Sequence, residues 1–139
     1  VIQYAALPVM MGIPVQLTQL FSNLVSNSLK FAKGAPRIEI SSSPFESDVS
    51  ADAADDEDRY INIRFRDHGI GFDTAYSEKV FILFQRLNHS RDYEGTGIGL
   101  ALCKKIVENH AGKIIVQSEP GKGATFNLLF PVRKILVNA

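Results

Sequence analysis

Three polar side chains stand close enough in sequence to act together: Asn23, Asn27 and Lys30, all within QLTQLFSNLVSNSLKFAK, residues 16–33. At about 100° per residue they fall within roughly 60° of one another on a helix. Two amides and an ammonium therefore line up on one strip. The same strip also suits an ordinary solvated helix face. A carboxylate, Asp67, stands in Asp67-His68-Gly69-Ile70-Gly71-Phe72, where two glycines let backbone turn sharply or pass close to something flat. Its plain alternative is a turn-capping aspartate at a strand end. Finally, Gly95-Thr96-Gly97-Ile98-Gly99-Leu100 opens a helical run. Free backbone N–H groups and the positive end of a helix dipole make such a loop an anion site, with phosphate the natural guest.

These groups need elements to hold them. Leu17, Leu20, Phe21, Leu24, Val25, Ser28 and Leu29 recur at helical spacing, so residues 16–33 form a core helix, the small Ser28 sitting in the apolar stripe at little cost. Before it, residues 1–15 read as an extended lead-in, with Pro8 and Pro14 outside any helix interior. Arg37–Ser41 and Tyr60–Arg66 alternate as two half-buried strands. The acidic insert between them, residues 43–59, cannot bury much apolar surface and reads as a mobile loop. EKVFILFQRL forms a short amphipathic piece, and residues 87–94 are polar without periodicity. Then come a helix, LALCKKIVENHA, stopped by Gly112, and a hairpin of KIIVQS and ATFNLLF around Pro120-Gly121-Lys122-Gly123.

With 139 residues and 45% of them hydrophobic, the chain suits one domain, residues 1–139, that can build a core. Lacking an apolar run of membrane length and a signal pattern, it reads as cytosolic, without membrane contact. Its one cysteine, Cys103, excludes an intrachain disulfide and reads as a small buried hydrophobe. His68, His89 and His110 share no metal-ligand spacing with it. The net charge of zero conceals an asymmetry: seven of the fifteen acidic residues lie in residues 46–58, which hold no lysine or arginine. The remaining body is basic and suits a polyanion such as a nucleotide.

A dinucleotide fold is the first rival for the glycine loop, and Glu119 stands about where a ribose-binding acid would. Two features oppose it: RDYE rather than a buried strand precedes the loop, and Leu100 fills the third small position. A Walker loop fails because no Gly-Lys-Ser/Thr closes the motif.

Taken together, NLVSNSLKF, DHGIGF, VFILF, GTGIGLAL and GKGATF resemble, in order, the N box, first glycine box, F box, second glycine box and last glycine box of the sensor histidine kinase catalytic domain. That family shares its ATPase fold with gyrase B, the Hsp90 chaperones and MutL. The stretch FQRLNHSRDYEGTGIGLALCKKIVE is similar to phytochrome-like kinases. The resemblance implies an α/β fold, a two-layer sandwich with helices on one face of a mixed, mainly antiparallel sheet and ATP between the layers. It also implies that Asp67 accepts a hydrogen bond from the adenine amino group. Gly69 and Gly71 would let backbone run against the base, Thr125 would hydrogen-bond near Asp67 or the base, and Phe31 would pack adenine or ribose, or else the core. Asn27 would bind Mg²⁺, with Asn23 and Lys30 facing the phosphates or the metal's shell. Gly95, Thr96, Gly97, Gly99 and Leu100 would form the hinge of a lid over residues 87–94 and the phosphate-facing helix start. Arg86 and Arg91 would reach the γ-phosphate, solvated surface being the alternative for each.

The chain departs from that pattern at His68, where Asn is usual, at Ser28, where Ala is usual, and at Ile82-Leu83, where Glu-Pro is common. No phosphoacceptor histidine or dimerising helix pair is found, so the resemblance implies a fragment of a longer kinase. Its partners would be a dimerisation and phosphoacceptor domain, as a homodimer in the parent, and a response regulator, not nucleic acid. In the gyrase branch a glutamate four residues before the metal ligand activates water. Here that position is Asn23, which cannot take up a proton at useful pH. The expectation is a histidine kinase domain that does not autophosphorylate alone; a non-catalytic nucleotide-sensing module is the alternative.

Overall fold

The first helix starts where proline permits it. Pro14 has no N–H to leave unsatisfied, and it occupies the first turn of α1 (Pro14–Lys30), behind an uncapped Ile13. The sequence had placed Pro14 in an extended lead-in and the helix end at residue 33; the helix in fact stops at Lys30, with Phe31 as its cap. Leu20 and Leu24 are fully buried and Ser28 nearly so, with Leu17, Phe21 and Val25 partly buried beside them. Burying each leucine contributes about 2 kcal/mol. Leu29, expected in the stripe, is half exposed because it stands about 100° round the helix from Ser28, which continues the stripe instead.

The computed structural model describes residues 2–5, 7, 11–46, 59–77, 79–81 and 99–131. Besides α1 these form β1 (Ile2–Tyr4), β2 (Ile38–Glu46), β3 (Arg59–Asp67), α2 (Gly99–Asn109), β4 (Lys113–Ser118) and β5 (Ala124–Pro131). Short 3₁₀ turns at Thr74–Tyr76 and Lys79–Phe81 follow β3. The sheet order is β1-β2-β3-β5-β4, with β1 parallel to β2 and every other pair antiparallel. The expected mixed, mainly antiparallel sheet is therefore what forms, with one strand, β1, that periodicity did not reveal in so short a segment.

Alternation decides the layers. Ile61, Ile63 and Phe65 of β3, Phe126, Leu128 and Phe130 of β5, and Ile114 and Val116 of β4 share one face and pack into one core with α1 and α2. Arg64, Arg66, Thr125 and Gln117 take the other face. One end of the acidic insert needs correcting: β2 continues through Ser43–Glu46, pairing Glu46 with Arg59. Ser42, Ser43 and Pro44 look like a turn, yet the ladder to β3 carries them. Pro44 is tolerated because β1 covers only Ile38–Ile40 and leaves an edge beyond. Residues 47–58 lie outside the described residues.

Candidate functional site

β3 ends by delivering Asp67 to the helix-facing side of the sheet, 7% exposed, beneath the last turns of α1. Its two oxygens are treated differently. Oδ1 accepts from the backbone N–H of Gly69 at 2.9 Å and of Ala124 at 3.2 Å. Oδ2 accepts from Ser28 Oγ, at 3.3 Å. An ionised carboxylate has about four acceptor positions, so Oδ2 keeps capacity for a further donor.

The glycines around Asp67 are explained by protein backbone. A Cβ on Gly69 would meet the Phe31 carbonyl, and one on Gly71 the Glu119 carbonyl; one on Gly123 would meet the carbonyl of Asp67 itself. Gly71 and Gly123 also adopt φ of 66° and 78°. Ile70 N–H donates to Phe31 O at 3.0 Å, and Gly121 N–H donates to Ile70 O at 2.6 Å. Ser118, buried at the end of β4, accepts from Phe72 N–H at 2.9 Å and donates to Gly123 O at 2.7 Å. The two glycine boxes thus clasp each other and the end of α1. Sequence reasoning assigned Gly69 and Gly71 to the base, because an absent Cβ does not say what fills its place.

Thr125 is corrected by register. It pairs with Arg66 and Gln117, while Ala124 pairs with Asp67. Because alternate residues face opposite sides, Thr125 lies on the far face of the sheet, and the group that reaches Asp67 is the Ala124 backbone N–H.

On α1, Asn23, Asn27 and Lys30 share a strip as expected. The Asn23 amide is engaged at both ends: its Oδ1 accepts from Gln19 at 2.8 Å, and its Nδ2 donates to Gly99 O at 3.4 Å, tying α1 to the start of α2. Asn27 is half-buried, and among the described residues its side chain has no hydrogen-bond partner. Lys30 is exposed, with Nζ 5.9 Å from the ring centroid of half-buried Phe31. At the start of α2, no atom of the described residues stands within 4 Å of where a Cβ on Gly99 would be, whereas the Leu100 side chain packs against the core. Arg86, Arg91, Gly95, Thr96 and Gly97, with the proposed lid at 87–94, lie outside the described residues.

Sequence reasoning missed Ser28 and Ser118 as hydrogen-bonding groups. A polar residue inside an apolar stripe was the available signal for Ser28. His68, where the family pattern has Asn, faces away to Glu39 Oε1 at 3.5 Å, which also pairs with Arg37 at 3.0 Å.

Residues 12–134 match the family described as histidine kinase-, DNA gyrase B-, and HSP90-like ATPase. Cyanobacterial phytochrome A of Nostoc is 43% identical over 94% of this chain and 16% of that protein. The autoinducer 2 sensor kinase/phosphatase LuxQ of Vibrio vulnificus is 40% identical over 86% of this chain and 13% of that protein. The chain therefore spans less than a fifth of the length of these curated relatives. The catalytic domain of histidine kinase ThkA superposes with a TM-score of 0.66 at 23% identity, covering 94% of this chain and 77% of that one.

Proposed function

Because this chain belongs to the histidine kinase-, DNA gyrase B- and HSP90-like ATPases, we propose that it binds Mg-ATP and donates the γ-phosphoryl group to a histidine on a separate dimerisation domain, within two-component signalling. The observation that carries this reading is Asp67: a buried carboxylate at the end of β3 with one oxygen saturated by backbone and the other, met by Ser28 of α1, open to a further donor. A donor such as an exocyclic adenine amino group suits it. ATP is the substrate. Phosphoryl transfer asks the protein for positioning and charge neutralisation more than for covalent chemistry.

Mg²⁺ fits the residues present. Asn27 offers an amide oxygen that no described group claims, and Mg²⁺ commonly takes one or two protein oxygens together with substrate phosphates. When bound, the ion neutralises phosphate charge. The α2 start offers backbone N–H groups, and Lys30 a mobile cation, to the same phosphates. Asn23 holds the two helices together and, as an amide, leaves water without a base, so a triphosphate persists until a histidine arrives. Mixing the chain with MgATP and a separately made dimerisation domain should yield acid-labile phosphate on that domain's histidine and none on the chain alone. Nucleotide binding without transfer to any partner histidine would support the non-catalytic module instead. Absence of nucleotide binding would overturn both.

A further inference from the structure

Ser28 is 2% exposed and lies in the middle of an apolar helix stripe, where a serine has to find a partner. A helical serine often bonds the carbonyl four residues back; this one reaches across to Asp67 Oδ2. The two backbone N–H groups both hold Oδ1, and two bonds on one oxygen leave a carboxylate able to rock about that oxygen, since its terminal torsion is broad. The bond to Oδ2 fixes the plane. At 3.3 Å it is long for a hydroxyl on a carboxylate, so it orients Oδ2 while leaving lone pairs available.

We propose that Ser28 is a positioning residue for base selection: its hydroxyl holds the Asp67 carboxylate in the rotation that presents Oδ2 to the 6-amino group of a purine nucleotide. The inference rests on the nucleotide reading above. An alanine, usual at this position in the family pattern, cannot supply that bond, so base selectivity here depends on a group outside Asp67.

The test compares dissociation constants of the 139-residue chain for MgATP and for the Mg²⁺ complex of purine riboside triphosphate, which lacks the 6-amino group. Calorimetry is run on the unchanged chain, Ser28→Ala and Ser28→Cys. The unchanged chain should favour ATP, and Ser28→Ala should shrink that preference about three- to ten-fold, the span expected for one misoriented charge-assisted bond, with affinity for the analogue nearly unchanged. Ser28→Cys, which keeps the volume and a weak donor, should restore part of the preference and carries the test if Ser28→Ala fails to fold. An undiminished preference in Ser28→Ala overturns the inference. So does equal weakening toward both nucleotides, the mark of a merely structural role. If the unchanged chain shows no preference for ATP, the assignment of Asp67 to the base fails first, and the inference with it.

Discussion

Gly123 shows how a residue of a nucleotide motif can be required by the protein before any ligand arrives. Its φ of 78° lies in the left-handed region, and a Cβ there would collide with the Asp67 carbonyl, which is backbone and cannot swing aside. The same residue's carbonyl accepts from Ser118, and its neighbour Ala124 supplies an N–H to Asp67. Gly123→Ala is therefore expected to lower stability by about 2–4 kcal/mol, combining φ strain with a backbone displacement, and to weaken nucleotide binding through Asp67. Chemical denaturation compared with Gly121→Ala gives the check. Gly121 also has positive φ, but no atom of the described residues lies within 4 Å of its Cβ position, so that variant should lose only the φ contribution. Equal losses would mean that the contact with Asp67 is unimportant.

The helices are joined to each other at both ends of their contact. Asn23 meets Gly99 at the start of α2, and beyond its end His110 receives the N–H of Ile13 on Nε2 at 3.0 Å. With Nε2 accepting, the proton belongs on Nδ1, which donates to Ile106 O at 2.8 Å. The ring also stands edge-on to Phe130, with centroids 6.3 Å apart. His110→Phe keeps the stacking but strands the Ile13 N–H, so stability should fall by about 1–3 kcal/mol and the Ile13 amide should exchange faster with solvent. Unchanged exchange at Ile13 would remove His110 from this role. None of this was legible in the sequence, where His110 was one histidine among three, because its partners are 97 residues away or one helical turn back. What could be read was whatever depends on period. The stripe of α1, the alternation of β3 and the hairpin of β4 and β5 follow from local spacing. The facing of Thr125, the extension of β2 through Pro44 and the clasp of the glycines depend on register and on backbone meeting backbone. Residue types do not encode those.

Across the molecule, the sheet divides an apolar side beneath the helices from a polar one, and Cys103 of α2 sits on the apolar side, fully buried against α1. Its Sγ lies 3.8 Å from the Leu20 carbonyl. Burial pushes the thiol up from its ordinary 9.0 to about 12, against a smaller opposing effect of a hydrogen bond from Asn23. The folded chain thus keeps the proton where the unfolded chain has already released it. This contribution to stability is complete below about pH 9 and is lost as pH rises toward about 12, with a limiting slope near 1.4 kcal/mol per pH unit. Urea unfolding at about pH 8 and about pH 10 should show the unchanged chain losing on the order of 1 kcal/mol more than Cys103→Ala, which has no thiol to titrate. At neutral pH the same burial should keep the thiol from reacting with an alkylating reagent until the helices part, so labelling should follow unfolding rather than reagent concentration. If both chains lose stability equally between the two pH values, or if Cys103 labels at the rate of a free thiol, the seam between α1 and α2 is open to solvent, and the attachment of Asn23 to α2 loses its support.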